Sequence, residues 1–475
     1  MKSKNEKREV ALIATLLCAA LAVSQNVSAA ADMKEAAMVM TEAAAEEPTD
    51  SEDSPAAAGG EKTAEAEKPT DWQGTTITGD WDGARQRLSD AGVQADLQFT
   101  ADYLRDTAGG QRRGGAYVGH ADVILRFDGR KLIGWEGGSG YLHLISNSGH
   151  RANLNYVGSL MGVDNLEAPV NRSGVFKAWL QQSFLDDKAS VRVGLYPIDT
   201  EFYVTDSSGI FLHPSFGMAA EAANFGSLSG PSIYATSSHG ARLRIEPDPA
   251  WYGMLAVTRG VPSDRIASAG PNVSWRNSNG GMTVAEVGFS PAKAFAERGA
   301  AASAGDDYEP ISKLALGAWR YAPRFSQLAA VDAAGDPLRG SHWGAYFLAE
   351  QTVYRVPESA RDLTAFVRYR FTDGRTSTLG YSFSVGLSSR GTFAEREKDS
   401  FGIAATRAHA DPQGRQQLSD DLGTLSSNDE TALEVTYRAQ VAAGVAVQPV
   451  LQRIWRPNFS LPNATVAGVR LQLAF

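Results

Sequence analysis

The chain of 475 residues is 43% hydrophobic, 9% aromatic and 21% charged, with a net charge of −9. Past its N-terminal leader, no stretch reaches the ~18 apolar residues of a membrane helix, which excludes a helical membrane protein. The single cysteine, Cys18, lies within that leader, so the mature chain offers no disulfide and no thiolate metal site.

Lys2, Lys4, Lys7 and Arg8 form a basic start, and Val10 to Val23 is an almost uninterrupted apolar run. Val27-Ser28-Ala29 supplies a small-residue cleavage pattern, with Ala30 and Ala31 as nearby alternatives, so residues 1–29 read as a secretory signal peptide. Leu17 precedes Cys18 where a lipoprotein site wants a small residue. Residues 30–76 form an acidic Ala/Glu/Pro-rich extension, with eleven acidic and three basic residues between 32 and 70. A net of +2 before that stretch and −8 within it leaves −3 for residues 71–475. The composition predicts a disordered periplasmic extension, free to contact periplasmic partners.

Residues 77–475 read as one barrel domain. Asp80 to Leu88 predicts a short periplasmic helix over 80–90, stopped by Gly92. Period two then takes over. Val93, Ala95, Leu97, Phe99, Ala101 and Tyr103 alternate with Gln94, Asp96, Gln98, Thr100 and Asp102, which gives a strand with one apolar and one polar face.

The same pattern predicts strands at 93–104, 117–128, 139–147, 173–184, 189–196, 240–247, 250–258, 282–289, 312–321, 342–354, 362–372, 379–388, 397–407, 431–441, 445–454 and 465–475. Their number is sixteen, even as a barrel with both ends in the periplasm requires. If the first strand runs outward, the long connections 148–172, 197–239, 259–281, 322–341 and 408–430 are external. The short ones, 185–188, 248–249, 355–361 and 442–444, are then internal turns, while 290–311 and 373–378 break the rule. In the last segment Val469, Leu471, Leu473 and Phe475 share one face and Arg470 and Gln472 the other, as in a closing strand with an aromatic at the bilayer interface. The fold class is therefore all-β: a sixteen-stranded antiparallel transmembrane barrel of a Gram-negative outer membrane, contacting lipid, with its N-terminus periplasmic.

The opposite faces are polar in a consistent sense. Lys177, Trp179, Gln181 and Ser183 alternate with Phe176, Ala178 and Leu180; Arg242, Arg244 and Glu246 alternate with Leu243 and Ile245. Arg368, Arg370, Glu434, Arg438 and Gln440 repeat the theme. Charges of both signs would line a water-filled lumen.

The connection 197–239 is apolar enough to pack and rich in carboxylates and aromatics, which favours folding into the lumen over packing across the mouth. Its segment Asp199-Thr200-Glu201-Phe202-Tyr203 and the wall then define a candidate eyelet. Arg192, Arg242 and Arg244 would donate to sugar hydroxyls, Asp199 and Glu201 accept, and Trp179 or Tyr203 stack, with Phe202 beside them. The plainer alternative makes these residues ion pairs that hold loop to wall. An anion channel would instead carry an unbalanced basic ring. His143 and Ser146 fall on opposite strand faces, and His213, His239 and His342 lack partners at ligand spacing, so no catalytic residue, metal or cofactor is expected.

These residues resemble the carbohydrate-selective, OprB-type porins over essentially all of 77–475. The likeness is carried by Gly79-Asp80-Trp81-Asp82-Gly83-Ala84-Arg85-Gln86-Arg87-Leu88 with Gly92-Val93, and by Gly194-Leu195-Tyr196-Pro197-Ile198-Asp199-Thr200-Glu201-Phe202 with Phe211 to Phe216. Gly386 to Gly391, Glu434 to Arg438, Val447 to Ile454 and Gly468 to Phe475 add to it. The resemblance implies a channel for energy-independent diffusion of monosaccharides, glucose being typical, as a monomer or homotrimer. The chain departs from the family at Tyr196-Pro197, where Lys or a similar polar residue is usual, and in its longer 32–70 stretch. The competing functions are a general porin or one for organic acids or aromatic compounds, and a structural barrel with an interacting tail. No nucleic-acid partner is expected.

Overall fold

The computed structural model describes residues 71–168, 171–220, 231–260, 281–291, 311–356, 359, 361–423 and 425–475. The leader and nearly all of the acidic extension lie outside these residues, as do most of the connections 259–281 and 290–311.

Sixteen strands form the wall: β1 (Val93–Ala108), β2 (Gly114–Asp128), β3 (Gly138–Gly149), β4 (Ser173–Phe184), β5 (Ala189–Tyr196), β6 (Ser238–Asp248), β7 (Trp251–Arg259) and β8 (Gly281–Phe289). They continue with β9 (Ser312–Val331), β10 (Pro337–Arg355), β11 (Asp362–Thr372), β12 (Leu379–Arg390), β13 (Ser400–Ala410), β14 (Asp429–Ala442), β15 (Val445–Trp455) and β16 (Ala464–Ala474). Each strand pairs antiparallel with its sequence neighbour, and β16 closes on β1. Closure leaves no open sheet edge, the condition for a sheet to cross a bilayer. The expected bounds of β4, β5 and β11 are met to the residue; the others differ at one or both ends, β13 lying three residues later than expected and β9 and β10 extending well past their expected outer ends.

The connection expected at 322–341 is instead a hairpin. Pairing continues through Arg339↔Ser326 and Pro337↔Val331. The chain turns at 332–336, where the Asp332 carboxylate accepts from the Ala334 and Asp336 amides at 2.8 and 3.0 Å. Beyond Phe325, which is buried against Tyr321 and His342, the described residues of this ribbon are mostly exposed or half-buried on both faces, so its sequence loses the alternation that marks the other strands.

The register confirms the two faces. In β1, Thr100, Asp102, Leu104 and Asp106 are buried, while Tyr103 and Arg105 are exposed. Asp102 pairs with Arg470 across the closing seam, which puts Arg470 inside. Phe176 departs from expectation. A bulge pairs Lys177 with His143 but Val175 with Leu144, so Phe176 is the extra residue and turns inward beside Ile145. Its ring packs edge-on to Tyr234 of the long loop.

The N-terminal segment crosses the turn-side end. Helix α1 (Trp72–Thr75) is capped by Asp71, which accepts from the Gly74 amide at 2.9 Å. Helix α2 (Ala84–Asp90) is the one expected over 80–90, and the chain leaves it at Gly92, whose φ of +91° suits glycine. The Ile77 amide donates to the Ala474 carbonyl at 2.8 Å. Arg85 donates to the Phe475 main-chain oxygen and lies 4.1 Å over the Trp81 ring. This segment therefore staples the β1–β16 seam.

The outward apolar band should tolerate charge poorly. Leu255, 46% exposed near mid-height of β7, faces the acyl region. Leu255→Arg is expected to cost about 2–4 kcal/mol in reversible urea unfolding from lipid vesicles, whereas Gln98→Arg on the polar face stays within about 1 kcal/mol. Equal costs at both positions would contradict the assignment of faces.

Candidate functional site: a loop across the lumen

The loop 197–237 leaves β5 and returns to β6, yet its backbone is held by the opposite wall. The Asp206 and Ser207 amides donate to Glu350 of β10 at 3.1 and 2.9 Å. Those of Leu212 and His213 donate to Glu434 of β14, both at 2.7 Å. Gln448 of β15 donates to the Ile210 carbonyl at 2.7 Å. In a circle of sixteen strands, β14 lies half a turn from β5 and β6, and these wall residues sit well inside their strands. The loop thus traverses the lumen.

Its packing explains why so apolar a loop is stable there. Ile198, Phe202, Tyr203 and Met218 pack with Met254, Met282, Trp319 and Leu348 of the wall. Phe211 and Phe216 pack on Phe366 and Ala404. Gly402 permits the approach of Phe211, whose ring would stand 2.8 Å from an added Cβ. The preceding loop, 150–172, braces the crossing: the Asn165 amide donates to the Leu212 carbonyl at 2.7 Å, and Glu430 of β14 accepts from the Leu160 and Met161 amides at 3.0 and 3.2 Å.

Charge is arranged opposite to the simplest sequence expectation. Carboxylates of the wall grip loop amides, and Arg368 of β11 donates to loop carbonyls, at 2.8 Å to Tyr203 and also to Gly217. Glu286 of β8 gathers three donors: the Tyr252 hydroxyl at 2.7 Å, the Tyr346 hydroxyl at 2.6 Å and the Tyr203 amide at 3.0 Å.

One loop carboxylate does meet the basic wall. Glu201 Oε1 lies 2.9 Å from Arg242 Nε and 3.6 Å from Arg192 Nη1. Arg242 also donates to Gln181 at 2.9 Å and to the Ser190 hydroxyl at 2.7 Å. The Arg192 guanidinium lies 3.6 Å over the Trp179 ring, while Tyr141, from the strand on the other side, stacks parallel to it at 5.1 Å. Trp179 is therefore sandwiched by protein groups. Tyr203 has Arg368 4.1 Å over its ring and Tyr346 edge-on at 5.1 Å.

Of the eight residues singled out from the sequence, the structure brings Trp179, Arg192, Glu201 and Arg242 into one cluster. Phe202 and Tyr203 pack between loop and wall. Asp199 lies apart, accepting from the Tyr234 amide at 3.0 Å. Arg244 sits toward the turn side, paired with Glu246 and 4.8 Å over Tyr252, its side chain 22% exposed. Glu286, Glu350 and Glu430 were not singled out. Glu286 and Glu350 are each the lone carboxylate of their strand, and that was the available signal; Glu430 falls just before the expected start of its strand.

Burial pushes the Asp199 carboxyl up from 3.8 to about 6, and the Tyr234 amide offsets this only in part. Burial alone holds the His213 imidazole down at about 3.

A closed barrel with an apolar outer band, a polar inner face and a loop across its lumen is an outer-membrane channel. Residues 112–475 match the family model described as carbohydrate-selective porin, OprB family, and the chain belongs to that family. It is accordingly a porin for sugar diffusion across the outer membrane and not an enzyme. Over 433 residues it is 23% identical to Porin B of Pseudomonas aeruginosa, a match spanning 84% of this chain and 91% of that protein. The high-pH structure of Pseudomonas putida OprB superposes with a TM-score of 0.73 at 19% identity, covering 85% of this chain and 99% of that one. The low-pH structure of the same protein gives 0.51 at 18% identity, covering 84% and 98%.

Two outcomes test the loop's anchoring. Glu434→Gln replaces one of the two acceptor oxygens by a donor, and an amide left unsatisfied costs about 1–3 kcal/mol. Faster hydrogen exchange at Leu212 and His213 and noisier single-channel current are expected; unchanged exchange would remove Glu434 from the anchor. Asp199 binds its extra proton only in the folded protein, so its stabilising effect is full below 3.8 and lost as pH rises toward about 6. Asp199→Asn should flatten the fall in melting temperature between pH 4 and 6, and a slope equal to wild type would refute the assignment.

Proposed function

We propose that the barrel passes glucose-like monosaccharides passively, through the space that loop 197–237 leaves beside the wall, with the N-terminus on the periplasmic side. The observation that carries this reading is the ion pairing of many inner charges, with Glu201 shared by two arginines. Arg192 and Arg242 share Glu201, Asp102 holds Arg470, Asp96 holds Arg126, Arg244 holds Glu246, and Asp362 holds Arg390. Such pairs attract neither ion sign strongly, but they present fixed donors and acceptors to a neutral polyol.

Within this reading the eight eyelet residues divide by role. Arg244 meets the solute. Arg192, Glu201 and Arg242 set the shape and polarity of the passage, with Trp179 backing them. Asp199, Phe202 and Tyr203 position the loop. The covered faces of Trp179 and Tyr203 support positioning over stacking. Docking of residues 71–91 at the end with the short turns supports a periplasmic N-terminus.

Liposome swelling with a panel of sugars and organic acids tests the proposal. Glucose should outpace gluconate and benzoate, and Glu201→Ala and Arg244→Gln should each weaken glucose block of the planar-bilayer current several-fold. Equal permeation of glucose and gluconate would establish a general or organic-acid porin instead.

A further inference from the structure

Nearly every charge on the wall turns inward, and the exceptions share one level. Outward strand positions carry Arg105 (β1), Arg259 (β7), Arg320 (β9), Arg407 (β13) and Arg453 (β15), all toward the end where loop 197–237 emerges. Asp429 of β14 is the single outward acid among the described residues, and it pairs with Arg407. Below them, the outward band from Trp251, Phe289 and Leu314 upward holds no Asp, Glu, Lys or Arg among the described residues.

Three of the five arginines crowd one side. Arg407, Arg453 and Arg105 stand on β13, β15 and β1, alternate strands of one continuous run, so neighbours are about 10 Å apart across the sheet. Counter-charge near them is sparse, since Asp429 beside Arg407 is the one carboxylate paired with any of the three among the described residues. Arg453 donates to the Thr465 hydroxyl at 2.5 Å, and Arg407 keeps 48% of its side chain exposed beside Asp429. Tyr103 and Trp455, each 38% exposed, flank them, and Tyr381 stacks on His409 at 4.6 Å. Amphipathic rings of this kind sit where acyl chains give way to headgroups. A row of three guanidinium groups against one carboxylate at that depth lies in the plane of lipid phosphates, which arginines bind bidentately.

We infer that the outer face of β13–β1 at the loop end, through Arg105, Arg407 and Arg453, binds the phosphate-bearing headgroup of a lipid in the leaflet on that side. The inference rests on the membrane-barrel reading but not on the sugar. It adds a lipid partner and gives the barrel an electrostatic preference for one leaflet, since among the described residues no outward strand position at the opposite rim carries Arg or Lys.

Native mass spectrometry of the full-length protein with diphosphorylated lipid A tests it, with the phosphate-free lipid as comparison. Arg105→Gln combined with Arg453→Gln should lower apparent affinity at least tenfold. The paired Arg→Lys changes should retain most of it, and Arg130→Gln at the turn end should change nothing. Heat-modifiable gel mobility verifies folding; where the double variant fails that check, Arg105→Gln alone should lose at least threefold. Wild-type affinity in the Gln variant, equal binding of the phosphate-free lipid, or displacement by millimolar inorganic phosphate would overturn the inference. Sugar-driven swelling is expected to persist in the Gln variant, so loss of sugar selectivity and loss of lipid binding are separable failures.

Discussion

The structure depends on carboxylates of the wall taking up amides of the crossing loop. A loop in the lumen must satisfy its backbone without a ladder of its own, and buried unpaired amides are costly. Glu286, Glu350 and Glu434 supply that satisfaction from strands β8, β10 and β14, at positions spread along the loop. Arg368 does the same for carbonyls from β11. Because each acceptor belongs to a rigid strand, the course of the loop is dictated by the barrel. Everything else about the passage, from the aromatic packing on one side to the Glu201 cluster on the other, follows from that course.

The same arrangement accounts for the chain's otherwise odd distribution of polarity. The barrel is apolar outside and packed inside at the loop end, where Val157, Met161 and Leu212 meet Ala432, Ile454 and Val466. Apolar contact brings the loops in, while charge fixes where they stop. Inner charges of both signs are held by ion pairs or by loop main chain, which suits a family that moves neutral sugars. The outward arginines stand apart from this scheme, since they have no lumen to neutralise and face lipid.

Much of this was legible in the chain before folding. Alternation located sixteen strands because one-residue steps send side chains to opposite solvents, and that signal repeats at every strand. It correctly turned Arg470 and Gln472 inward and Leu471 outward. It failed where the rule itself lapses. Phe176 was assigned to lipid because a bulge shifts the period by one. The ribbon above the rim read as a loop because past Phe325 neither of its faces is consistently buried. Residues 197–203 do pack against the wall inside the barrel, yet Trp179 and Tyr203, read as stacking platforms, have their ring faces occupied by Arg192, Tyr141 and Arg368.

Sequence alone determined the outer-membrane barrel, its two faces and the loop that folds inward, because each is a local pattern of period, composition or length. Only the tertiary structure decided which partner each charge takes. Glu434 meets Leu212 and His213, more than two hundred residues away, because closure of the sheet places β14 opposite β5 and β6. Glu201 meets Arg242 because the loop begins beside that wall before crossing. Such pairings depend on circular order and on register, quantities that no window of residues contains.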